Sequence, residues 1–226
     1  MFQKIVTSAL IAGFGAGVFA AVLQFVFVQP VLLHAELFED GTLSHFGPGA
    51  TPDEFSRESL FDPVRDGLTV AFSGLIYVGY AFVLIAAMVA AVERGHRLDP
   101  KTGLIWGFAG FVSVQLAPAF GLPPELPGMA AADLTERQIW WFATVAATAI
   151  GLWLLAFGQN WAMWGAAIIL IAAPQIIGAP QPEAFTGPAP PELGAAFAAR
   201  ALGVGLAAWC VLGLLTATLW RAEENI

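Results

Sequence analysis

Six long apolar stretches make up most of this chain, and none of them contains Asp, Glu, Lys, Arg or His. They are Ile5–Val28, Leu68–Val92, Thr102–Phe120, Ile139–Phe157, Trp161–Ile177 and Ala201–Trp220. A helix that crosses the apolar core of a bilayer needs about 20 such residues. A core helix of a soluble protein rarely runs so far without a polar face. The stretches therefore predict an all-α integral membrane protein with six transmembrane helices.

The segments between the stretches are too short to form cores of their own. The three long ones are predicted loops at about 29–67, 121–138 and 178–200, all rich in proline, glycine and acidic residues. Independent cores below about 40 residues usually need disulfides or metal, and the chain has only one cysteine. We therefore expect a single transmembrane domain over residues 1–226, built as three helical hairpins. The count of six spans depends on residues 158–160, Gly-Gln-Asn, which divide the apolar region 139–177.

The density of Lys and Arg predicts the orientation of the chain. With six spans both termini lie on one side, together with Lys4, Arg221 and the short basic link Glu93–Lys101. The other side has four arginines spread over much longer loops. Because the denser side is usually cytoplasmic, we predict cytoplasmic termini and periplasmic long loops.

Acidic residues are concentrated on the predicted outer side. Of 17 carboxylates, 13 lie in the outer loops, and eight of these lie between Glu36 and Asp66. A negatively charged entrance raises the local concentration of cations. The alternative is that these loops are merely polar. With a net charge of −8 and no basic cluster, the chain is not expected to bind nucleic acid.

A threefold pattern recurs along the predicted hairpins. Each outward helix has a glutamine and a proline near its outer end, and each return helix begins near an arginine. The glutamines are Gln24, Gln115 and Gln175, the prolines Pro30, Pro118 and Pro174, and the arginines Arg65, Arg137 and Arg200. Internal repeats are common in transporters, although a proline-rich chain can produce such a pattern by coincidence.

The members of this pattern suggest different roles. Amide oxygens can bind a cation, and prolines can expose backbone carbonyls, so the glutamines are candidates for a transport path. They could equally form hydrogen bonds that hold the helices together. Arginine is unfavourable at a helix N-terminus, so Arg65, Arg137 and Arg200 are predicted to form structural ion pairs. Their expected partners are loop carboxylates such as Asp62, Asp66, Asp133, Glu136 and Glu192.

The spans contain no ionisable residue, which argues against a buried proton relay and against an intramembrane hydrolase. No HExxH, P-loop or GxGxxG motif is present, so we expect neither an enzyme nor a bound cofactor. The remaining candidate metal ligands are His34 and Glu36, since imidazole with carboxylate suits cobalt or nickel. A solvated histidine is the alternative. Two similar proline-rich strings occur at Ala117–Glu125 and Ala173–Glu183. Glu125 and Glu183 occupy equivalent places in them and are further candidate metal ligands, as acids of an outer vestibule.

The chain resembles the CbtA family of cobalt transporter subunits over nearly its whole length, and the resemblance is strongest around these strings. The residues that carry the resemblance are Gln115–Met129, Ala132–Leu134, Arg137–Trp141, Ile177–Glu183, Gly187–Pro188 and Pro191–Leu193, with Phe2, Gln24 and Ala35–Glu36. The family is usually described with five spans, whereas the break at residues 158–160 leads us to predict six.

The resemblance implies a protein of the bacterial inner membrane that moves cobalt for cobalamin synthesis. It also implies a small single-span partner of the CbtB type with a His-rich segment. The leading hypothesis is therefore transport of Co²⁺, with Ni²⁺ as a possible alternative substrate. The competing hypothesis is a scaffold or assembly subunit of a larger membrane complex that transports nothing itself.

Overall fold

The structure is a computed structural model that describes residues 2–45 and 61–224, and within those ranges every regular element is helical. The elements in order are α1 (Phe2–Leu23), a first π turn (Gln24–Val28), α2 (Gln29–Glu39), α3 (Pro63–Val92), α4 (Pro100–Phe111), a second π turn (Val112–Leu116), α5 (Ala117–Ala119), α6 (Leu134–Phe157), α7 (Trp161–Ile177) and α8 (Pro191–Glu224). The predicted all-α fold is confirmed.

Each of the six apolar stretches lies in a helix. Five continuous helical segments are long and apolar enough to cross a membrane: Phe2–Glu39, Pro63–Val92, Pro100–Ala119, Leu134–Phe157 and Pro191–Arg221. The sixth, α7, has 17 residues, which is the lower end of the length that spans a bilayer core. The break between α6 and α7 falls at residues 158–160, as predicted, where Asn160 caps α7 by accepting from the Met163 N–H.

The return helices α3 and α6 begin before their apolar stretches, because side-chain caps set their starts. Asp62 accepts from the N–H groups of Val64 and Arg65 at the start of α3. Asp133 does the same at the start of α6. These caps satisfy backbone donors that have no partner inside the helix. Hydropathy therefore locates the part of each helix in lipid, and capping decides where the helix begins.

The first helix also continues beyond its predicted end. Residues 29–39 were expected in the outer loop, but they form α2, so that part of the prediction is wrong. The reason lies in the first π turn. A proline excludes the carbonyl four residues before it, which for Pro30 is that of Val26, inside the π turn. Pro118 stands in the same relation to Val114 in the second π turn. In both places a wider turn lets the helix pass its proline.

The described residues divide into two compact units. The first unit contains α1, the first π turn, α3, α4 and the part of α8 from Gly203 onward. The second contains α2, the second π turn, α5, α6, α7 and the beginning of α8 up to Leu202. Each π turn lies next to a point in the sequence where the chain passes from one unit to the other, at Gln29–Pro30 and at Phe111–Val112. The single domain expected from the sequence stays a prediction.

Within the first unit, glycines allow helices to approach closely. A Cβ added to Gly17 of α1 would lie 2.6 Å from the Gly74 Cα of α3. A Cβ on Gly103 of α4 would lie 2.6 Å from the Ala217 Cβ of α8. Gly17 belongs to one GxxxG pair of the sequence and Gly103 to another, and the close contact that such pairs favour is present in both places.

The second unit combines a helical pair with a small outer cluster. In the pair, Gly151 of α6 packs on α7, where an added Cβ would lie 2.6 Å from the Ile171 Cγ1. In the outer cluster, buried side chains from α2 pack with residues that follow the two proline-rich strings and with the start of α8. Its members are Ala35, Phe38, Leu126 and Ala189, with Leu43, Met129, Leu193 and Phe197 against them.

Candidate functional site

The two similar proline-rich strings lie side by side in the second unit. Gln175 Nε2 donates to the Ala117 carbonyl at 3.0 Å, and Gln181 Nε2 donates to the Gly121 carbonyl at 3.3 Å. Gly121 is closely packed, since an added Cβ would lie 2.7 Å from the Ala179 Cβ. The similarity between the strings therefore corresponds to a physical pairing.

Trp140 of α6 joins this pairing from the next helix. Its indole Nε1 donates to the Pro174 carbonyl at 3.3 Å, and its side chain is 8% exposed. Pro174 cannot donate a backbone hydrogen bond, but its carbonyl also accepts from the Gly178 N–H at 3.0 Å. The C-terminal end of α7 is thus fixed by contacts from α6 and from the start of α5.

The amide oxygens of two predicted path residues are buried in this unit. Gln115 Oε1 and Gln175 Oε1 are inaccessible to solvent, and neither finds a hydrogen-bond partner among the described residues. Gln175 uses its amide nitrogen on Ala117, so its oxygen remains available. The third predicted glutamine, Gln24, is half-buried at the start of the first π turn and belongs to the first unit. The structure therefore assigns Gln115 and Gln175 to one unit.

Arg137 and Arg65 form short-range ion pairs. Arg137 contacts Glu125 at 2.8 Å, with both side chains about one-third exposed, and Arg65 contacts its neighbour Asp66 at 3.1 Å. Asp66 was among the expected partners, but Glu125 was predicted as an acid of the vestibule. Glu125 is paired with Arg137, and its place in a vestibule stays a prediction. Arg200 does not open its helix; it is the tenth residue of α8 and is exposed.

A pair of hydrogen bonds to Asp66, near the N-terminus of α3, was not predicted. Gln29, directly after the first π turn, donates through Nε2 to Asp66 Oδ1 at 2.9 Å. The Asp62 N–H donates to the other oxygen of Asp66 at 3.3 Å. Asp66 thereby connects the end of the first π turn to the start of α3. Only the occurrence of Gln29 beside Pro30 could have suggested it.

The predicted metal ligands His34 and Glu36 both lie on α2. Two residues apart on an α-helix, they point about 200° away from each other. His34 lies against Phe38, with ring centroids 5.5 Å apart, and Glu36 is exposed. Glu183 is exposed as well. Across residues 2–45 and 61–224, no three His, Cys, Asp or Glu side chains come together in a way that could hold a metal ion.

A buried polar face on α6 was also missed by the sequence reasoning. Trp140, Thr144 and Thr148 recur every four residues on one side of the helix. Both threonines are fully buried. Thr144 donates its hydroxyl to the Trp140 carbonyl at 2.8 Å. The spacing of the two threonines at i and i+4 was the available signal.

Outside the spans, hydrogen bonds to the charged form lower the pKa of two carboxyl groups. The Thr102 backbone N–H donates to Asp99 at 2.8 Å, which lowers the pKa of Asp99. In return, Thr102 Oγ1 accepts from the Asp99 N–H at 2.8 Å, so the two residues form a capping box at the start of α4. Thr42 lowers the pKa of Asp40 through its backbone N–H.

The second unit therefore offers neutral oxygen atoms within apolar helices and partly paired acids in its outer loops. Amide oxygens are acceptors only, so they suit a cation or the hydrogen atoms of its bound water. Because these oxygens are uncharged, they would hold such an ion weakly. Weak binding favours passage over storage.

Nearly the whole chain also matches one family model. The match covers residues 2–221, and the family is described as probable cobalt transporter subunit (CbtA). The chain belongs to the CbtA family. The paired strings, Gln115 and Gln175 all lie inside the matched range, which confirms the resemblance seen in the sequence. Membership of the CbtA family, with several membrane-spanning helices, makes this a multi-pass membrane protein of a transporter. No curated protein and no solved structure matches the chain.

Proposed function

We propose that this member of the CbtA family transports cobalt across the bacterial inner membrane and supplies cobalamin synthesis. The observation that supports the proposal most directly is the burial of Gln115 Oε1 and Gln175 Oε1 without hydrogen-bond partners among the described residues. A purely structural glutamine in lipid would use its acceptor, because an unpaired polar group in an apolar medium is destabilising. These oxygens are therefore suited to a ligand that supplies positive charge or hydrogen-bond donors.

In this proposal the outer acids concentrate the cation and the amides accept it further in. Glu183 is exposed, and Glu125 is about one-third exposed beside Arg137, so neither forms a tight cage. His34 and Glu36, on different sides of α2, attract the cation at two separate positions. The proposed route involves neither a resident cofactor nor a catalytic step. Ni²⁺ is expected to follow the same route, since cobalt and nickel accept the same ligands.

The proposal includes a partner and an orientation. A small single-span protein of the CbtB type, with a His-rich segment, would capture the metal, while this chain supplies the passage through the lipid. Such a division of labour accounts for the low histidine content, three in 226 residues. Both termini would be cytoplasmic, because the basic link between α3 and α4 lies on the side that they share.

Uptake of radiolabelled cobalt tests the proposal in cells that express the chain with and without this partner. Gln175→Leu should reduce uptake because it removes the buried acceptor at similar volume. Gln181→Leu is the matched control, since its amide also donates to a backbone carbonyl of the other string but its side chain is exposed. Equal uptake by both variants and the wild type, at equal expression, would contradict a role for Gln175. Absence of uptake in every combination would contradict transport by this chain.

A second candidate function, assembly without transport, is favoured by exposed aromatic residues in and directly after the two proline-rich strings. Phe120 and Phe185 are each 80% exposed. Exposed aromatic side chains are suited to contact with another protein. In that case Phe120→Ser and Phe185→Ser would release a co-purified partner, while Gln175→Leu would leave uptake by the assembled complex unchanged.

A further inference from the structure

Thr148 differs from the other threonines inside helices in how it uses its hydroxyl. Six threonines lie beyond the first turn of a described helix, and five donate to the carbonyl four residues before. These are Thr7, Thr69, Thr144, Thr216 and Thr218, with distances of 2.7–3.0 Å. The corresponding acceptor for Thr148 would be the Thr144 carbonyl. Thr148 does not use it, and its Oγ1 has no partner within the described part of the chain.

The position of Thr148 makes this difference significant. Its side chain is fully buried, and it is the fifteenth of the 24 residues of α6, well inside a membrane-spanning helix. A threonine in lipid normally satisfies its hydroxyl on its own helix. A buried hydroxyl that does not do so is destabilising compared with a methyl group of the same size. Valine would fill this position without that disadvantage.

The helices around Thr148 carry the other buried acceptors of the second unit. On its own face of α6, Gly151 lies one turn further along, against Ile171 of α7. Gln175 lies one turn beyond Ile171 on α7, and Gln115 lies in the second π turn, which also packs on α6. The oxygens of Gln115, Thr148 and Gln175 are uncharged and have no partner among residues 2–45 and 61–224, and they belong to three elements that pack within one unit.

We propose that Thr148 is a binding residue for a hydrated divalent cation, at a site deeper in the membrane than the two glutamines. Water molecules bound to a dication are strong hydrogen-bond donors, and unpaired hydroxyl and amide oxygens are the acceptors that match them. Contact through water retains part of the hydration shell. An uncharged site therefore does not need to compensate for its complete loss. The inference rests on the proposed cation transport and adds the residue that receives the ion inside the bilayer.

The test compares two threonines one helical turn apart. Thr148→Val and Thr148→Ala remove the hydroxyl, Thr148→Ser keeps it, and Thr144→Val is the matched control, fully buried on the same face but already paired. For the purified full-length proteins, the rise in unfolding temperature on addition of cobalt chloride reports binding. Uptake of radiolabelled cobalt by cells reports transport.

We expect Thr148→Val and Thr148→Ala to weaken apparent cobalt binding about two- to tenfold, the usual effect of one hydrogen bond. Thr148→Ser and Thr144→Val should bind like the wild type. An unchanged cobalt response in both hydroxyl-free variants, or an equal loss in Thr144→Val, would overturn the inference. So would a wild-type protein that shows no cobalt response. Selective loss of binding in a chain without uptake would support the site and refute transport, so the two proposals fail separately.

Discussion

Replacement of Gly17 by alanine tests whether α1 and α3 are in close contact. An added Cβ would lie 2.6 Å from the Gly74 Cα and 2.6 Å from the Ser73 carbonyl oxygen. Carbon atoms in favourable contact are about 3.5–4.0 Å apart, so the two backbones would have to separate by roughly 1 Å. Overpacking of this kind destabilises a protein by about 1–3 kcal/mol.

Gly79→Ala is the matched control for this prediction. Gly79 lies on α3, is exposed, and an added Cβ would meet no atom within 4 Å. Both substitutions gain the better helix propensity of alanine, about 0.5–1 kcal/mol. The overpacking term alone therefore separates the two variants, and it should make Gly17→Ala the less stable by about 1–3 kcal/mol.

Thermal unfolding of the purified protein in detergent, followed by circular dichroism, measures the difference. For a chain of this length, about 1 kcal/mol corresponds to roughly 2–4 °C, so Gly17→Ala should unfold about 2–12 °C below Gly79→Ala. Gly79→Ala should equal or slightly exceed the wild type. If the two variants unfold at the same temperature, the reasoning from close packing at Gly17 is refuted.

Further predictions concern the loops and caps. Glu125→Gln combined with Glu183→Gln should lower cobalt uptake at low ionic strength and less at high ionic strength, because salt screens exposed charges; uptake that is unchanged at every salt concentration would remove these acids from the entrance. Asn160→Ala should destabilise the protein by about 1 kcal/mol in equilibrium unfolding, because it removes the cap of α7; equal stability would show that the cap is dispensable. The contribution of Asp99 should be constant at neutral pH and decrease as the pH falls below about 4, the ordinary aspartate value, through its lowered pKa. Asp99→Asn should therefore show a weaker loss of stability in acid than the wild type, and identical acid profiles would contradict this assignment.

Hydropathy was sufficient for the architecture because lipid imposes one requirement on every span. Backbone donors and acceptors must pair within the segment, so a long apolar run can only be a helix. That requirement located all six helices, including α7 with its 17 residues. It could not locate helix ends. The starts at Pro63 and Leu134 depend on the caps Asp62 and Asp133, and the extension to Glu39 depends on a π turn that accommodates Pro30.

For the candidate site, too, the sequence predicted some features and left others to the structure. The pattern of strings, glutamines and arginines could be recognised, because residue types and their spacing are read directly from the sequence. Their partners were not visible, because a partner can lie anywhere along the chain. Arg137 contacts Glu125, twelve residues away, and Gln175 contacts Ala117, 58 residues away.

The amino-acid sequence by itself determined that this chain is a bundle of membrane helices with acidic residues concentrated in its long loops and with a repeated proline-rich string. Those properties follow from hydropathy, charge and backbone chemistry, which act locally. Only the tertiary structure decided which polar atoms are satisfied. Thr144 and Thr148 are the same residue one turn apart, yet one hydroxyl is paired and the other is not. Both arrangements are open to a threonine in a helix, so the order of residues does not distinguish them, whereas the rotamer of a buried side chain depends on the atoms packed around it.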